Sequence, residues 1–404
     1  MVVIVYHNNC YRKEIQAMRK NITVMGDLLS EFPRYAFDDA VNEFQGDYRV
    51  RTMRCQDLFK TLLYGQIIGA YSLREIESSL MANGPKLYYC GMKDAKRSTL
   101  CDALEKRDHR IFERTFLSLV ERANSISGNN GRRFRNPLKI VDATTIDLCL
   151  KRFAWATFCK TKGAVKIHVA LNGDQLFPEQ VYITTGDVHE VKVLSNMCFG
   201  PGEIVVLDRG YLDYNRLRDI ALRESWFVTR LKSCSDFEIV ETVSTSSSDP
   251  VRGDYRIELK GKRTKWTYPD QLRMVVYHDD EYDRDYRFVT NNMELQSQEI
   301  ADIYKARWQV ELFFKWIKQN LKIKTFWGTS PNAVHIQIWI ALILFLLLWI
   351  KKAGSGLQAT LQRILQMLKT TLFSRSLIED LFKPIEHCCS SNLQNWLFKD
   401  SPYA

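Results

Sequence analysis

Two aspartates stand where a carboxylate is costly. Asp142 lies within Lys139-Ile-Val-Asp-Ala-Thr-Thr, and Asp208 ends the run Glu203-Ile-Val-Val-Leu-Asp. Strand-forming apolar residues flank each, so an ionised side chain there must be paired or bind a cation. A turn or cap role for Asp208 ahead of Gly210 and a strand-end salt bridge for Asp142 are the structural alternatives. A third carboxylate, Glu311, sits in Ile303-Tyr-Lys-Ala-Arg-Trp-Gln-Val-Glu-Leu-Phe-Phe-Lys-Trp-Ile-Lys-Gln-Asn320. On a helix turning about 100° per residue, Tyr304, Arg307, Glu311 and Lys318 fall within roughly 60° of one another. They form one polar stripe, bordered by Trp308 and Lys315, while Leu312, Phe313, Phe314, Trp316 and Ile317 occupy the rest of the circumference. Such a helix is expected to be buried except along its stripe. An Arg307–Glu311 pair on a solvated face is the alternative, and so narrow a polar face argues against it.

Acids from two strands and one helix can together hold two divalent, oxygen-seeking cations, an arrangement that activates a nucleophile and stabilises the leaving oxygen in phosphodiester chemistry. Nucleic-acid cleavage or strand transfer is the reaction class this suggests. Charge agrees with it. Over the 404 residues, Lys and Arg outnumber Asp and Glu by 57 to 47, and residues 131–166 hold nine basic residues against Asp142 and Asp147. Arg132, Arg133 and Arg135 open that cluster, which suits contacts to backbone phosphate; a solvated basic face is its bland reading.

The elements that must carry these residues differ along the chain. Residues 21–124 show apolar positions every three or four residues, a helical pattern, with Ser72 and Ser98 as expected N-caps. The turn cluster Ser125-Ile-Ser-Gly-Asn-Asn-Gly131 makes a domain boundary. From Leu138 short β-branched runs follow, first as a meander and then alternating with a helical stretch at 214–223, which indicates an α/β sheet of mixed direction. Residues 235–290 read as a β-rich insertion, and helices return over 296–320, 334–352 and 356–396. The segment Ile338–Ile350 (IWIALILFLLLWI) has no polar side chain. At 13 residues it falls short of the roughly 20 a membrane span needs, so it is expected to be a buried helix rather than an anchor. Ten cysteines without a Cys-x-x-Cys pair, and a Met1–Lys20 leader without a secretion pattern, suggest a reducing cytoplasm.

Tyr304-x2-Arg307-x3-Glu311-x6-Lys318, with the two upstream acids, resembles the Tyr-Arg-Glu-Lys motif of the DDE transposases of bacterial insertion sequences, in the group usually called the IS-four family. VDATTIDL, GAVKIH, VVLDRGY, FVTRLK and KQNLKIKTFWGTSPNAVHIQIWIA look like the same family. FPRYAFDDAVNEFQGDYRVRT, SLREIE and RSTLCDALEKRD are similar to the helical domain of one of its branches, and the likeness spans roughly residues 22–352.

The resemblance implies an α/β fold with a ribonuclease-H-like catalytic core and a β-rich insertion, preceded by a helical domain and followed by a helical tail. It divides the chain into a leader (1–20), a helical DNA-binding domain (21–130), the first part of the core (131–234), the insertion (235–290), the second part of the core with the Glu311 helix (291–355) and a tail (356–404). It implies that Asp142, Asp208 and Glu311 bind two Mg2+ ions, with Mn2+ able to substitute. Tyr304, Arg307 and Lys318, with Lys315, would contact phosphates of the transposon ends. In some relatives an aromatic of the insertion holds a flipped base; spacing suggests Tyr286, where a Trp is the family's residue, and Trp266 beside Lys260-Gly-Lys-Arg-Thr-Lys265 competes. The partners are transposon ends and target DNA, with no membrane, and a homodimer is expected because two ends must be synapsed. The chemistry implied is metal-dependent cleavage and strand transfer, cut-and-paste through a hairpin, in a cytoplasmic protein associated with the bacterial nucleoid. A catalytically silent DNA-binding regulator derived from such an element, and a plain nuclease of the same fold, are the alternatives.

Other chemistry-bearing residues have simpler explanations. Asp187, His189 and Glu190 could be imagined as metal ligands, but a turn into a helix N-terminus explains two acids there more simply; His168 suits a core or sheet-face histidine rather than a catalyst, and His387-Cys388-Cys389 offers too few ligands for zinc.

Overall fold

Apolar residues at helical spacing in the amino-terminal third wind into α1 (Val24–Leu29), α2 (Arg34–Glu43), α3 (Cys55–Ile68), α4 (Leu73–Ala82), α5 (Gly84–Leu87), α6 (Arg97–Lys106) and α7 (Arg110–Ser127). The computed structural model describes residues 22–128, 133–159, 161–246 and 250–383. The expected leader, Arg132 and the His387-Cys388-Cys389 tail lie outside them. Ser72 caps α4 as expected: its hydroxyl accepts from the Glu75 amide at 3.2 Å, while Glu75 accepts from the Tyr71 amide at 2.7 Å. Ser98 does not cap. The chain enters α6 two residues earlier, with Lys96 as the cap in extended backbone, which places Ser98 in the first turn.

Ten strands form one sheet: β1 (Leu138–Leu148), β2 (Thr157–Cys159), β3 (Lys162–Asn172), β4 (Pro178–Thr185), β5 (Ile204–Leu207), β6 (Trp226–Arg230), β7 (Phe237–Thr245), β8 (Val251–Leu259), β9 (Leu272–Asp279) and β10 (Arg284–Thr290). Three short helices interrupt them: α8 (Glu190–Leu194), α9 (Tyr214–Leu222) and α10 (Lys262–Thr267). The order β4-β3-β1-β5-β6, with β1/β3 and β3/β4 antiparallel and β1/β5 and β5/β6 parallel, is the expected ribonuclease-H-like arrangement. The stranded insertion is not a separate layer. Its last strand β10 pairs antiparallel with β6, Val228 opposite Thr290 and Arg230 opposite Phe288, so β7–β10 extend the core sheet. That pairing covers an edge strand that would otherwise leave its ladder unsatisfied.

The motif segment, expected as one helix, is two. α11 (Ser297–Ala306) and α12 (Trp308–Asn320) meet at Arg307, which keeps helical dihedrals (φ −51°, ψ −33°) while the bonds around it tighten to three-residue spacing. The Arg307 amide donates to the Tyr304 carbonyl at 3.0 Å, and the Val310 amide to the Arg307 carbonyl at 3.2 Å. Burial of α12 is also narrower than expected. Val310, Phe313, Phe314 and Ile317 are buried, but Trp308 and Leu312 are 56% and 43% exposed.

The apolar segment forms the core of α13 (Pro331–Ser355), which is packed inside the protein rather than left as a surface span: 89% of its most hydropathic window is buried. It touches α7, α3 and α6, and also α14 (Leu361–Thr371), so the helical region and the carboxy-terminal helix share one spine. Gln337, the polar residue at the edge of the apolar run, organises the α12–α13 connection. Its amide donates to the carbonyls of Lys322 (2.6 Å) and Thr325 (2.9 Å), and its oxygen accepts from the Trp327 amide (2.8 Å). Lys351, just past the run, pairs with Asp27 of α1 at 2.6 Å.

Candidate active site

The parallel pairing of β1 and β5 sets Val141 opposite Leu207, so the residue after each, Asp142 and Asp208, lies at one end of adjacent central strands. α12 packs on β1 and brings Glu311 to the same end. Arg307 joins the acids: its guanidinium stands 3.6 Å from Asp142 Oδ2 and donates to Glu311 Oε1 at 2.6 Å. Asp208 serves the next turn as well. It caps the one-turn helix Arg209–Tyr211, accepting from the Gly210 amide at 3.2 Å, so the turn role read as an alternative coexists with its place beside Asp142.

Electrostatics at this end are set first by burial and then by neighbouring carboxylates. Burial pushes the Asp142 carboxyl up to about 6, Asp208 and Glu190 add to the rise, and the Ala143 amide and Arg307 only partly offset it. Burial also raises the Tyr211 hydroxyl, with Asp142, Glu190 and Asp208 reinforcing the shift. That hydroxyl is enclosed and has no hydrogen-bond partner. Tyr304 packs on Phe288 of β10, ring centroids 4.6 Å apart, and its hydroxyl is raised by burial and by Asp208.

Among the described residues no three His, Cys, Asp or Glu side chains close on one point at metal-ligand spacing. The Arg307 guanidinium lies between Asp142 and Glu311. The donor set still suits hard divalent cations. It is all oxygen, and the Asp142 carboxyl is raised by burial first and by the charges of Asp208 and Glu190 after it.

The raised Asp142 carboxyl carries a stability consequence. With the folded value near 6 and the ordinary one at 3.8, the protonated side chain favours the metal-free fold; its contribution is full below about pH 4 and lost as pH rises through about 6. In chelator at pH 8, Asp142→Asn is therefore expected to exceed the wild type in stability by on the order of 3 kcal/mol, and the two should converge by pH 4. Urea melts at both pH values check this; an asparagine variant less stable at pH 8 would contradict it.

The other expected site residues divide between places. Lys318 donates to the Thr145 carbonyl of β1 at 3.1 Å, near the acids' strand, and Lys315 is exposed one turn before it. Tyr286 lies in a groove of about 670 Å3 lined by Arg209, Arg230, Lys232, Arg284 and Arg287, with guanidinium carbons of Arg230 and Arg284 at 5.1 and 4.8 Å from its ring centre. Trp266, 81% exposed on α10, is not among the groove's lining residues. Arg133 and Arg135 lie in the bends before β1, whose first four residues, about 13 Å of strand, separate them from Asp142, and they are not brought to the acids. The Arg133 amide is bonded to Asp174, and Arg135 lines a separate pocket with Glu294 and Glu299. Lys139, counted in the basic cluster, is buried between Glu179 and Glu203. The cluster is contiguous in sequence and is dispersed by the strand that runs through it.

Several groove and acid residues escape sequence reasoning. Arg209 follows Asp208 directly, and Arg284 and Tyr286 share one face of a strand by their spacing of two; Arg230 lies within the family-like FVTRLK, and Glu190 reads as a first-turn acid of a helix. His168 is the sheet-face histidine expected, its Nε2 2.9 Å from Thr184 Oγ1 and its ring lowered to about 4 by burial.

The family model for the transposase DDE domain matches residues 133–347, more than half of the chain. The chain belongs to the DDE transposases. A second model, for a domain of unknown function, matches residues 20–93 of this transposase. A probable transposase for insertion sequence element IS5377 of Geobacillus stearothermophilus is 31% identical over 253 residues, 62% of this chain and 66% of that protein, so the chain spans just under two thirds of that relative's length. A protein described as transposase y4zB of Sinorhizobium fredii is 30% identical over 289 residues, 70% of this chain and 80% of its own. One of Synechocystis, described as a transposase for insertion sequence element IS4SA, is 25% identical over 273 residues, 64% of this chain and 73% of its own. These relatives make this an insertion-sequence DDE transposase, as the motif resemblance implied. A piggyBac transposase synaptic complex with hairpin DNA superposes at TM-score 0.48 and 11% identity, covering 96% of this chain and 86% of that one.

Proposed function

We propose that this transposase binds the inverted-repeat ends of its insertion sequence, cuts them and joins them to target DNA, using Asp142, Asp208 and Glu311 as ligands for two Mg2+ ions. The observation that carries the reading is convergence: three acids 66 and 103 residues apart in sequence meet at one end of the sheet, next to a groove lined by five basic residues that begins at Arg209. When bound, such ions activate the attacking oxygen and neutralise the leaving one. The chain's own residues do the rest. The groove arginines neutralise and orient the DNA backbone. Tyr286, between two guanidinium groups, offers a platform for an unstacked base, as a hairpin intermediate requires. Arg307, freed from Asp142 and Glu311 when cations take those carboxylates, becomes available to an end phosphate beside Tyr304. Cleavage at two ends calls for a homodimer, and the substrate places the protein on DNA in the bacterial cytoplasm.

Lys318 is expected to act on binding rather than on chemistry. Lys318→Ala should weaken binding to an end duplex and lower the slope of log affinity against log salt by about 0.9, one phosphate contact's share. A salt titration by fluorescence anisotropy checks it, and an unchanged slope would remove Lys318 from the interface.

The reading as a whole is tested by incubating purified protein and Mg2+ with linear DNA carrying the sequences that flank its own gene, beside Asp208→Asn, on a denaturing gel. Nicks at two inverted ends followed by a double-length hairpin strand support it. Scattered cuts support a plain nuclease, and bound but uncut DNA, identical in both proteins, supports a silent regulator.

A further inference from the structure

The helical region holds a cationic pocket that the proposed chemistry does not use. The turn between α2 and α3 and the end of α6 enclose a cavity of about 580 Å3, and its lining carries Arg49, Arg51, Lys106 and Arg107 against the single acid Asp102. Among the described residues none of these five makes an ion pair, which leaves three formal positive charges unbalanced. The walls are fixed. A Cβ on Gly46 would stand 2.5 Å from Ile111 and 2.7 Å from Cys55 Sγ, so the absence of a side chain there lets the turn lie against α7 and α3. Asp47 of the same turn accepts from the Cys55 amide at 2.7 Å. On the other wall Asn332 of α13 donates to the Leu104 and Arg107 carbonyls and accepts from the His109 amide at 3.1 Å, which ties the end of α6 to the buried spine that follows α12.

A second observation marks the pocket as a place for an anion. Arg107 is only 9% exposed. Its guanidinium donates to the Met53 carbonyl at 2.7 Å, but its Nε has no hydrogen-bond partner and no carboxylate pairs with the group. Burial, and after it a bond to Asp47, pushes the neighbouring Cys55 thiol up to about 12, so that sulfur stays neutral and supplies no counter-charge. A guanidinium taken out of water is costly unless an anion meets it. Arg49, Arg51 and Lys106 are exposed around it, and the open ring of Tyr48 stands 5.1 Å from the Arg49 guanidinium carbon. Three surplus charges spread over exposed arms match successive phosphodiesters, one charge each, better than one small enclosed anion.

We propose that this pocket is a second DNA-binding site, in which Arg107 and Lys106, with Arg49 and Arg51, hold backbone phosphates of a transposon end outside the segment that reaches the acids. This rests on the reading that the protein binds such ends and adds where its helical region grips them. The contacts go to phosphate, so the site supplies affinity and register rather than base sequence.

The test uses the full chain in chelator, which leaves DNA uncut, and fluorescence anisotropy with a duplex of the sequence flanking its own gene, either intact or carrying a neutral methylphosphonate at one backbone position at a time. The variant is Arg49→Gln/Arg51→Gln, because both side chains are exposed and make no hydrogen bond within the described residues; melting curves check the fold. It is expected to bind the intact duplex about tenfold more weakly, with the slope of log affinity against log salt lower by about 0.9 to 1.8, and to lose a sensitivity that wild type shows at one or two methylphosphonate positions. Wild-type affinity and slope in the variant overturn the proposal and leave the end-binding reading intact, as does equal sensitivity of both proteins at every position. A wild type that does not bind the duplex overturns both. Inorganic phosphate that raises the melting temperature of the wild type alone, with duplex binding equal in the two proteins, assigns the pocket to a small anion and overturns the proposal. If the double variant does not fold, Lys106→Gln takes its place, with a slope lower by about 0.9 expected and an unchanged slope overturning the site.

Discussion

Glu311→Gln is expected to reduce cleavage of end DNA by about 10³-fold or more while binding of the ends stays within about twofold of wild type. The substitution removes a negative charge and little else. Glutamine keeps the side-chain length and an oxygen that can accept from Arg307, so the 2.6 Å bond that ties the start of α12 to the acid cluster can persist and the groove arginines are untouched. What disappears is the anionic donor on the third element of the site. Single-turnover cleavage on a labelled end duplex, with anisotropy measured in parallel, reads both quantities. Retained cleavage would remove Glu311 from the proposed metal ligands. Lost binding would show instead that its pairing with Arg307 shapes the DNA surface.

The second large effect is expected away from the acids. Asp254 of β8 and Arg273 of β9 are buried and paired, the guanidinium donating through Nε at 3.0 Å and through NH2 at 2.6 Å. Burial opposes the charge on Asp254, but bonds from Arg273 and from the Ser297 hydroxyl win, holding its carboxyl below the ordinary range. The same guanidinium donates to the Leu295 carbonyl at 2.6 Å, and Ser297 Oγ to Asp254 at 2.6 Å. Since Ser297 begins α11, the pair fastens the inserted strands to the helix that delivers Tyr304 and Arg307. Asp254→Ala strands a buried guanidinium and should cost about 3–5 kcal/mol in chemical denaturation. Replacing both partners with apolar residues of similar volume should recover most of that loss. A single variant within about 1 kcal/mol of wild type would mean that the guanidinium finds other partners and that the clamp is dispensable.

How much of this could be read in advance depends on the range of the interaction concerned. Ser72 as a cap, the strand character around Asp142 and Asp208, and the helical repeat around Glu311 are local facts, set by backbone preference and by apolar spacing within a few residues. They appear in the structure where expected. The buried fate of Ile338–Ile350 was also legible, because an apolar run shorter than a membrane and edged by Gln337 is most cheaply buried where that amide can be satisfied. The sequence by itself thus determined most element types, the family motif and the three acids proposed to carry the chemistry.

Tertiary structure decided the remainder. Arg133 and Arg135 are near Asp142 in sequence and far from it in space, because an extended strand separates its ends by about 3.3 Å per residue. Arg230, Arg284 and Tyr286 are distant in sequence and share a groove, because β10 adds to β6 as an antiparallel neighbour. Glu190 reads as an ordinary first-turn acid, and only the packing of α8 against the Asp208 turn brings its carboxylate toward Asp208. The break at Arg307 follows the same logic: its guanidinium is claimed by Asp142 on another element, a constraint that helical spacing along one segment does not contain. Charge and chemistry are properties of residues, but proximity is a property of topology, and a site made at the meeting of three elements exists only once the sheet order has been chosen.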